Sequence, residues 1–428
     1  MRVGVIGGGV SGLVAAYLLS RKHQVQLFEA SEQAGGHANT VTVTRADGSE
    51  VPLDVGFIVY NERTYPGFSK LLRELDVETQ PSDMSFSVRC EEEDFEFSSR
   101  GVRGYLAQPR NLLRLSHYRM LWDVVRFQRD ARRALRRDEG HDISFAEYLE
   151  QRRFSEAFRT RLIVPLLAST WSNAPAHILT FPAHYLFRFL ETHGVLAANS
   201  IPEWRWVTGG SRSYVERLTS ALPEGTLNLG APVVSVVRAA ADGAGARIGL
   251  GDGDVRAFDA VVLACHSDQA LALLADADED ERVALGGLRY QPNRVVLHTD
   301  ERFLPRRKAA RAAWNYHAET SRTMDLDRLT MTYDLNRLQG LNRDGIDDGT
   351  HYCVSTNPTA ALDPTKVIAE FDYSHPVFDT QTLGAQEALR AINGRRQTYF
   401  AGAYMGYGFH EDGLQSGVEV ARRLGVAW

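Results

Sequence analysis

Arg2-Val-Gly-Val-Ile6, followed at once by Gly7-Gly-Gly9-Val-Ser-Gly12, decides the fold. The first five residues read as a short buried strand, and the apolar stretch from Leu13 to Ser20 has helical composition. Val25 to Phe28 reads as a second strand that closes on Glu29. The pattern is Gly-x-Gly-x-x-Gly between a strand and a helix, and each glycine has its own task. Gly7 makes the tight turn, Gly9 lets the backbone approach a pyrophosphate, and Gly12 allows the helix to pack closely on the strand. The N-terminus of that helix supplies free N–H groups and a positive dipole end that suit phosphates. Glu29 stands where a ribose hydroxyl needs an acceptor. The arrangement predicts dinucleotide binding, and by itself does not separate NAD from FAD.

Working outward, Gly35-Gly36-His37 follows after a short turn, and Leu53-Asp-Val-Gly56-Phe57-Ile-Val-Tyr60 reads as one apolar strand around a glycine. The far end carries Tyr399-Phe-Ala-Gly402-Ala403, then Gly406-Tyr407-Gly-Phe-His410-Glu411-Asp-Gly413-Leu414-Gln-Ser-Gly417, then a helical stretch from Val418 to Leu424. Together these segments resemble the flavin-dependent amine oxidase, protoporphyrinogen oxidase and phytoene desaturase superfamily. Gly56 to Pro66, Trp314-Asn-Tyr-His317 and Gly406 to Gly413 carry a narrower likeness to a bacterial branch associated with fatty acyl modification.

The resemblance implies FAD as cofactor. It places Gly7, Gly9, Val10, Ser11, Gly12, Glu29, Ala30, Gly35, Gly36, His37, Gly56, Phe57, Val233, Gly402, Ala403, His410, Glu411 and Leu414 around it. It also puts His410 beside the isoalloxazine, as a general acid/base near neutral pH or as a packing residue, with Tyr407 and Tyr60 lining the site. Three departures stand out. His37 occupies the slot of a pyrophosphate-binding arginine, and Gly402-Ala403-Tyr404 lacks the usual acid. The lysine that many amine oxidases hold near flavin N5 has no counterpart, Lys308 lying in the basic run Arg306-Arg-Lys308.

The middle of the chain returns to the nucleotide-binding sheet. Val207-Thr-Gly-Gly210-Ser-Arg-Ser-Tyr-Val215 precedes a helix through Leu222, and strands follow at Leu227–Leu229, Pro232–Val236, Arg247–Leu250 and Ala260–Ala264, with a turn over 242–245. The predicted fold is α/β, a Rossmann-type FAD-binding domain interleaved with an α+β substrate domain. Residues 1–79, 207–288 and 378–428 form the first, and 80–206 and 289–377 the second. No second Gly-x-Gly-x-x-Gly follows a strand, so oxygen, a quinone or a protein partner is the expected electron acceptor for a net oxidation.

Composition sets the limits. The 428 residues carry 48 Lys+Arg against 54 Asp+Glu, a net charge of −6 that offers no whole-chain field for nucleic acid. Cys90, Cys265 and Cys353 cannot form a disulfide framework, the histidines lack the paired spacing of a metal site, and no apolar run spans a membrane. A cytoplasmic protein is expected. Pro109 to Arg137 is a basic amphipathic helix whose apolar stripe is Leu113, Leu121, Val124, Val125, Ala131 and Leu135. Such a helix lies on an anionic membrane or forms the solvated face of a core helix. The acidic run Glu91–Asp94 reads as a solvated hairpin tip.

Aromatic residues concentrate in the substrate segments, among them Trp171, Tyr185, Phe187, Phe189 and Trp314. They suit a packed core or an apolar route to the flavin. The function expected is desaturation or double-bond isomerisation of an apolar, lipid-like small molecule. The alternatives are oxidation of a small amine and a flavin-binding partner subunit with little activity of its own.

Overall fold

The computed structural model describes residues 1–196, 202–238, 245–318, 326–341 and 349–428. Residues 242–244 of the turn expected over 242–245 lie outside them. Arg2–Ile6 forms the middle of a five-stranded, all-parallel sheet. It pairs with Gln24–Phe28 on one side and Ala260–Leu263 on the other. Leu227–Asn228 and Thr398–Phe400 complete the two edges. Its strands therefore come from three separated parts of the chain, held by near-continuous apolar runs buried on both faces.

Helix Val10–Leu19 leaves the first strand and packs along the C-terminal helix His410–Arg423. Small residues make that approach possible. A Cβ on Gly417 would run into the carbonyl oxygen of Ser11, and one on Gly413 would lie 2.9 Å from Val10 Cγ1. Gly417→Val is expected to lower stability by about 1–3 kcal/mol, read from denaturant unfolding, because backbone rather than a pliable side chain must give way.

A second sheet has seven strands in the order Val367–Val377, Arg289–His298, Cys353–Thr356, Met331–Asp334, Trp314–Ala318, Phe86–Cys90, Phe95–Ser98. All neighbours are antiparallel except Trp314–Ala318 on Phe86–Cys90. Helices between 101 and 192 cover it over a core rich in phenylalanine. Three smaller sheets complete the described strands: Val233–Arg238 with Ala246–Leu250 and Val255–Phe258, Tyr60–Asn61 with Trp204–Val207 and Thr79–Pro81, and the hairpin Thr40–Thr44 with Glu50–Asp54.

Three expectations need correction. The stretch from Leu53 to Tyr60 is not one strand: Glu50–Asp54 ends, the chain bends, and Tyr60–Asn61 starts another. Gly56 is drawn against the backbone of His37, and Phe57 N donates to His37 O at 2.7 Å, which takes this segment out of the ladder. The basic segment is a 3-10 turn, Pro109–Leu113, followed by helix Leu115–Arg136. Of its expected stripe, Ala131 is buried and Leu121, Val124 and Leu135 pack against the core, but Leu113 and Val125 face outward. The acidic run is a hairpin tip as expected, yet it is ion-paired: Glu91 with Arg89 and Arg306, Glu93 with Arg161, and Asp94 with Arg110.

Candidate functional site

The fingerprint glycines each have a visible reason. Gly7 sits at φ +105°, and a Cβ there would stand 2.9 Å from the Ala264 carbonyl. At Gly12 a Cβ would strike the Gly7 carbonyl oxygen. Gly9 is the opposite case: nothing lies within 4 Å of where its Cβ would be. Gly9 begins helix Val10–Leu19, which has no side-chain cap and no acid in its first turn. Its first N–H groups have no helical partners and are free for an anionic ligand.

Glu29 closes the next strand, its carboxylate accepting Gly8 N at 2.7 Å and Ser31 N at 2.9 Å. Ala30 beside it is exposed, and Val233 starts the small sheet just after Ala231 N bonds Glu29 O at 2.9 Å. Gly35 N donates to Gly8 O at 2.8 Å, so the Gly35-Gly36-His37 segment folds over the fingerprint loop.

His37 stands among side chains that are far away in sequence. Its ring centroid is 4.7 Å from Tyr373, 5.3 Å from His375 and 6.1 Å from His266. Burial, then the neighbouring His266, lowers its pKa to about 4. Burial, then His37 and His266, lowers that of His375 to about 3. His375 Nδ1 lies 2.9 Å from Asn293 Nδ2, an amide that can only donate, so the imidazole accepts there. His37 Nε2 is buried without a hydrogen-bond partner. A neutral imidazole with an unmatched polar atom thus replaces the cation expected beside a pyrophosphate.

Asp54 joins three of the motifs. Its Oδ1 accepts Thr40 Oγ1 at 2.7 Å, and Ser211 N and Oγ at 2.8 Å each. Burial outweighs these bonds and raises its pKa to about 6.

The C-terminal segment brings the expected catalytic residues into two aromatic groups. His410 stacks on Phe57 with centroids 3.8 Å apart and meets Phe68 edge-on at 5.1 Å. Its Nε2 lies 2.7 Å from Tyr214 Oη. Burial, then His37, lowers its pKa to about 3, so the ring is neutral at pH 7. Tyr60 is buried and meets the Phe68 ring edge-on at 5.2 Å. Tyr407 belongs to the second group, 4.5 Å from Tyr185 and 6.1 Å from Phe189, with Trp171 Nε1 donating to its carbonyl at 2.9 Å. Phe378 and Phe409 extend this group.

Gly402 N is held by Ser416 Oγ at 2.8 Å, and the Tyr404 ring packs over Gly402 in place of the missing acid, with Ala403 next to it in the chain. A carboxylate is nevertheless nearby. Asp412 lies against Gly406, accepts Phe409 N at 2.9 Å, and has a pKa raised to about 6 by burial. Glu411 turns the other way: its two oxygens accept Gly67 N at 2.9 Å and Phe68 N at 2.8 Å, capping helix Pro66–Glu74. Its backbone N–H lies in the first turn of helix His410–Arg423, where a helix leaves its N–H groups without intrahelical acceptors. Leu414 is buried in the core with Phe68 and Leu71.

All four lysines, Lys22, Lys70, Lys308 and Lys366, lie at or near the surface. Histidine spacing gave no sign of Asp138, His141 and His184, whose ligand atoms gather within 4.8 Å of one another. Those atoms are engaged: His141 Nε2 bonds Asp138 Oδ1 at 2.9 Å, and the Arg188 guanidinium stands 3.4 Å from His184 Nε2.

The open space over Gly9, the uncapped helix end and the orphaned His37 Nε2 fit a dinucleotide pyrophosphate. Comparisons with known proteins agree. The sequence profile of flavin containing amine oxidoreductases matches residues 10–425. No curated protein sequence matches the chain. Among solved structures, a CLA-producing fatty acid isomerase from P. acnes superposes with a TM-score of 0.68 at 17% identity, covering 99% of both chains. A cyclohexylamine oxidase from Brevibacterium oxydans gives 0.67 at 16% identity, again over 99% of both chains. A putrescine oxidase bound to putrescine gives 0.65 at 15% identity with the same coverage.

Proposed function

Because the chain belongs to the flavin containing amine oxidoreductase family and is an FAD-dependent oxidoreductase, we propose that it acts on an apolar, lipid or fatty-acyl substrate by C–C desaturation or double-bond isomerisation. In this reading residues 1–79, 207–288 and 378–428 form the FAD-binding unit, and 80–206 and 289–377 the substrate unit. The observation that carries the reading is the wall of rings from Trp171, Tyr185, Phe189, Phe378, Tyr407 and Phe409, where substrate-unit helices meet the C-terminal segment. Such a wall favours a long apolar ligand through burial of hydrocarbon. The surface position of every lysine supports the same choice over amine oxidation. The amine-oxidase neighbours keep the second reading alive, and Asp412 beside Gly406 is the group that would attract an ammonium.

Bound FAD supplies the exchange of hydride or electrons with a substrate carbon. The protein's own groups hold and dry the site. The neutral His410, gripped between Phe57 and Tyr214, keeps a fixed hydrogen-bonding edge rather than a titrating one, and the aromatic wall excludes water. His410→Ala is expected to retain FAD but to slow flavin reduction or isomer formation severalfold or more. Rapid-reaction kinetics with the turned-over substrate check this, and unchanged rates would remove His410 from the mechanism.

The test of the function is anaerobic incubation with a total bacterial lipid extract, with flavin bleaching and product mass and retention both recorded. Bleaching or a new unsaturated or isomeric acyl product supports the reading. Turnover of small primary amines with none of lipids contradicts it.

A further inference from the structure

We infer that the outer face of helix Leu115–Arg136 is a docking surface for an anionic lipid bilayer. Leu115, Tyr118, Trp122 and Val125 follow one another at three- and four-residue steps and so share one face of the helix. They are 86%, 49%, 60% and 60% exposed, and Leu113 just before them is 88% exposed. Tyr118 Oη donates to Leu112 O at 2.9 Å, so the 3-10 turn and the helix form one continuous surface.

The helix does not need this stripe in order to pack. Its opposite face already buries His117, Met120, Phe127, Ala131 and Ala134. Five large apolar side chains in a row on the outside are therefore unexplained by folding, and contiguous exposed patches of this kind mark interaction sites.

Charge selects the occupant. Over Leu115–Arg136 six arginines stand against two aspartates, a local excess of positive charge on a chain whose net charge is −6. Asp123 is fully buried, engaged by Arg119, Arg126 and the backbone N–H of Ser155. Arg129, Arg133 and Arg136 are exposed, and among the described residues no acid pairs with Arg133 or Arg136. A stripe of leucine, tyrosine and tryptophan beside arginines matches the acyl boundary and the anionic headgroups of one bilayer leaflet. The placement is also useful. The inner face of this helix packs through Phe127 on Phe187, 5.9 Å away, in helix Ala183–Thr192. Tyr185 and Phe189 of that second helix reach Tyr407. Two packed helices thus connect the bilayer face to the aromatic wall.

Vesicle flotation of the full FAD-loaded protein, with no substrate present, tests the surface separately from the proposed reaction. The probes are vesicles of equal phosphatidylcholine and phosphatidylglycerol, and vesicles of phosphatidylcholine alone. Binding is expected to the first, weaker binding to the second, and loss as salt is raised from about 50 mM to about 500 mM. Leu115→Glu and Trp122→Glu should each lower partitioning tenfold or more, and Arg133→Glu with Arg136→Glu about tenfold or more. Flavin content and melting temperature should stay at wild-type values in all of them, since these side chains are exposed. Failure to float with phosphatidylglycerol, or flotation undiminished in both Leu115→Glu and Trp122→Glu, overturns the inference. Concentration-dependent self-association that Trp122→Glu abolishes, without vesicle binding, would overturn it in favour of a second copy of the chain.

Discussion

Gly9→Trp protein is expected to purify folded but colourless, and to stay so after incubation with FAD. The position is unusual among the glycines of the loop. No atom stands within 4 Å of the place a Cβ would take at Gly9, so a side chain can leave the backbone there without displacing it. The indole instead fills the open space at the N-terminus of helix Val10–Leu19. Affinity should fall at least about 100-fold, near 3 kcal/mol, while far-UV circular dichroism remains that of the apoprotein. Gly12→Val is the contrasting control. Its side chain must displace the Gly7 carbonyl, and the expected result is loss of soluble protein rather than loss of flavin alone. Wild-type flavin content in Gly9→Trp would show that the cradle lies elsewhere.

Acid should destabilise this protein before most of its carboxylates are neutralised. His37, His193 and His298 are held near pKa 4, and His375 and His410 near 3, in every case chiefly by burial. Unfolded, each titrates near 6.5. Below that value the unfolded chain binds more protons than the native one, so the stability is fully present above about pH 6.5 and is lost as pH falls towards 4. Asp54 and Asp412 act in the opposite sense. Their native pKa values near 6 favour the folded state at low pH, a contribution that is lost as pH rises from about 4 through 6. Five depressed imidazoles outweigh two raised carboxyls, even with the coupling among His37, His266 and His375. The net loss between pH 7 and 4.5 is on the order of 5 kcal/mol. Thermal melts across this range should show a fall of about 5 °C or more, and His375→Gln should reduce that slope. A melting temperature that is level or rises towards pH 4.5 would contradict the burial of these rings.

How much of this was legible in the sequence depends on whether the signal was local. Gly7, Gly9 and Gly12 could be read because each task is set within a dozen residues. Glu29 is equally local, at the end of its strand, where its carboxylate accepts Gly8 N and Ser31 N. The partners of His37 could not, since Tyr373, His375 and His266 arrive from elements more than 200 residues away. The motif around Glu411 resembles a flavin site, while the partners of its carboxylate, Gly67 N and Phe68 N at the start of helix Pro66–Glu74, lie more than 300 residues away and leave no local signal. The basic helix shows a different limit. Periodicity located it, but it has apolar residues on two faces, and hydrophobicity alone does not say which of them is covered.

The central claim is that this chain holds FAD in the cradle around Gly9, and flavin stoichiometry of the purified protein measures it most directly. Heat or acid release, followed by quantification of the free flavin, is expected to give one FAD per chain, none of it covalently attached. Protein that is colourless as isolated and gains no flavin absorbance on incubation with FAD would contradict the account.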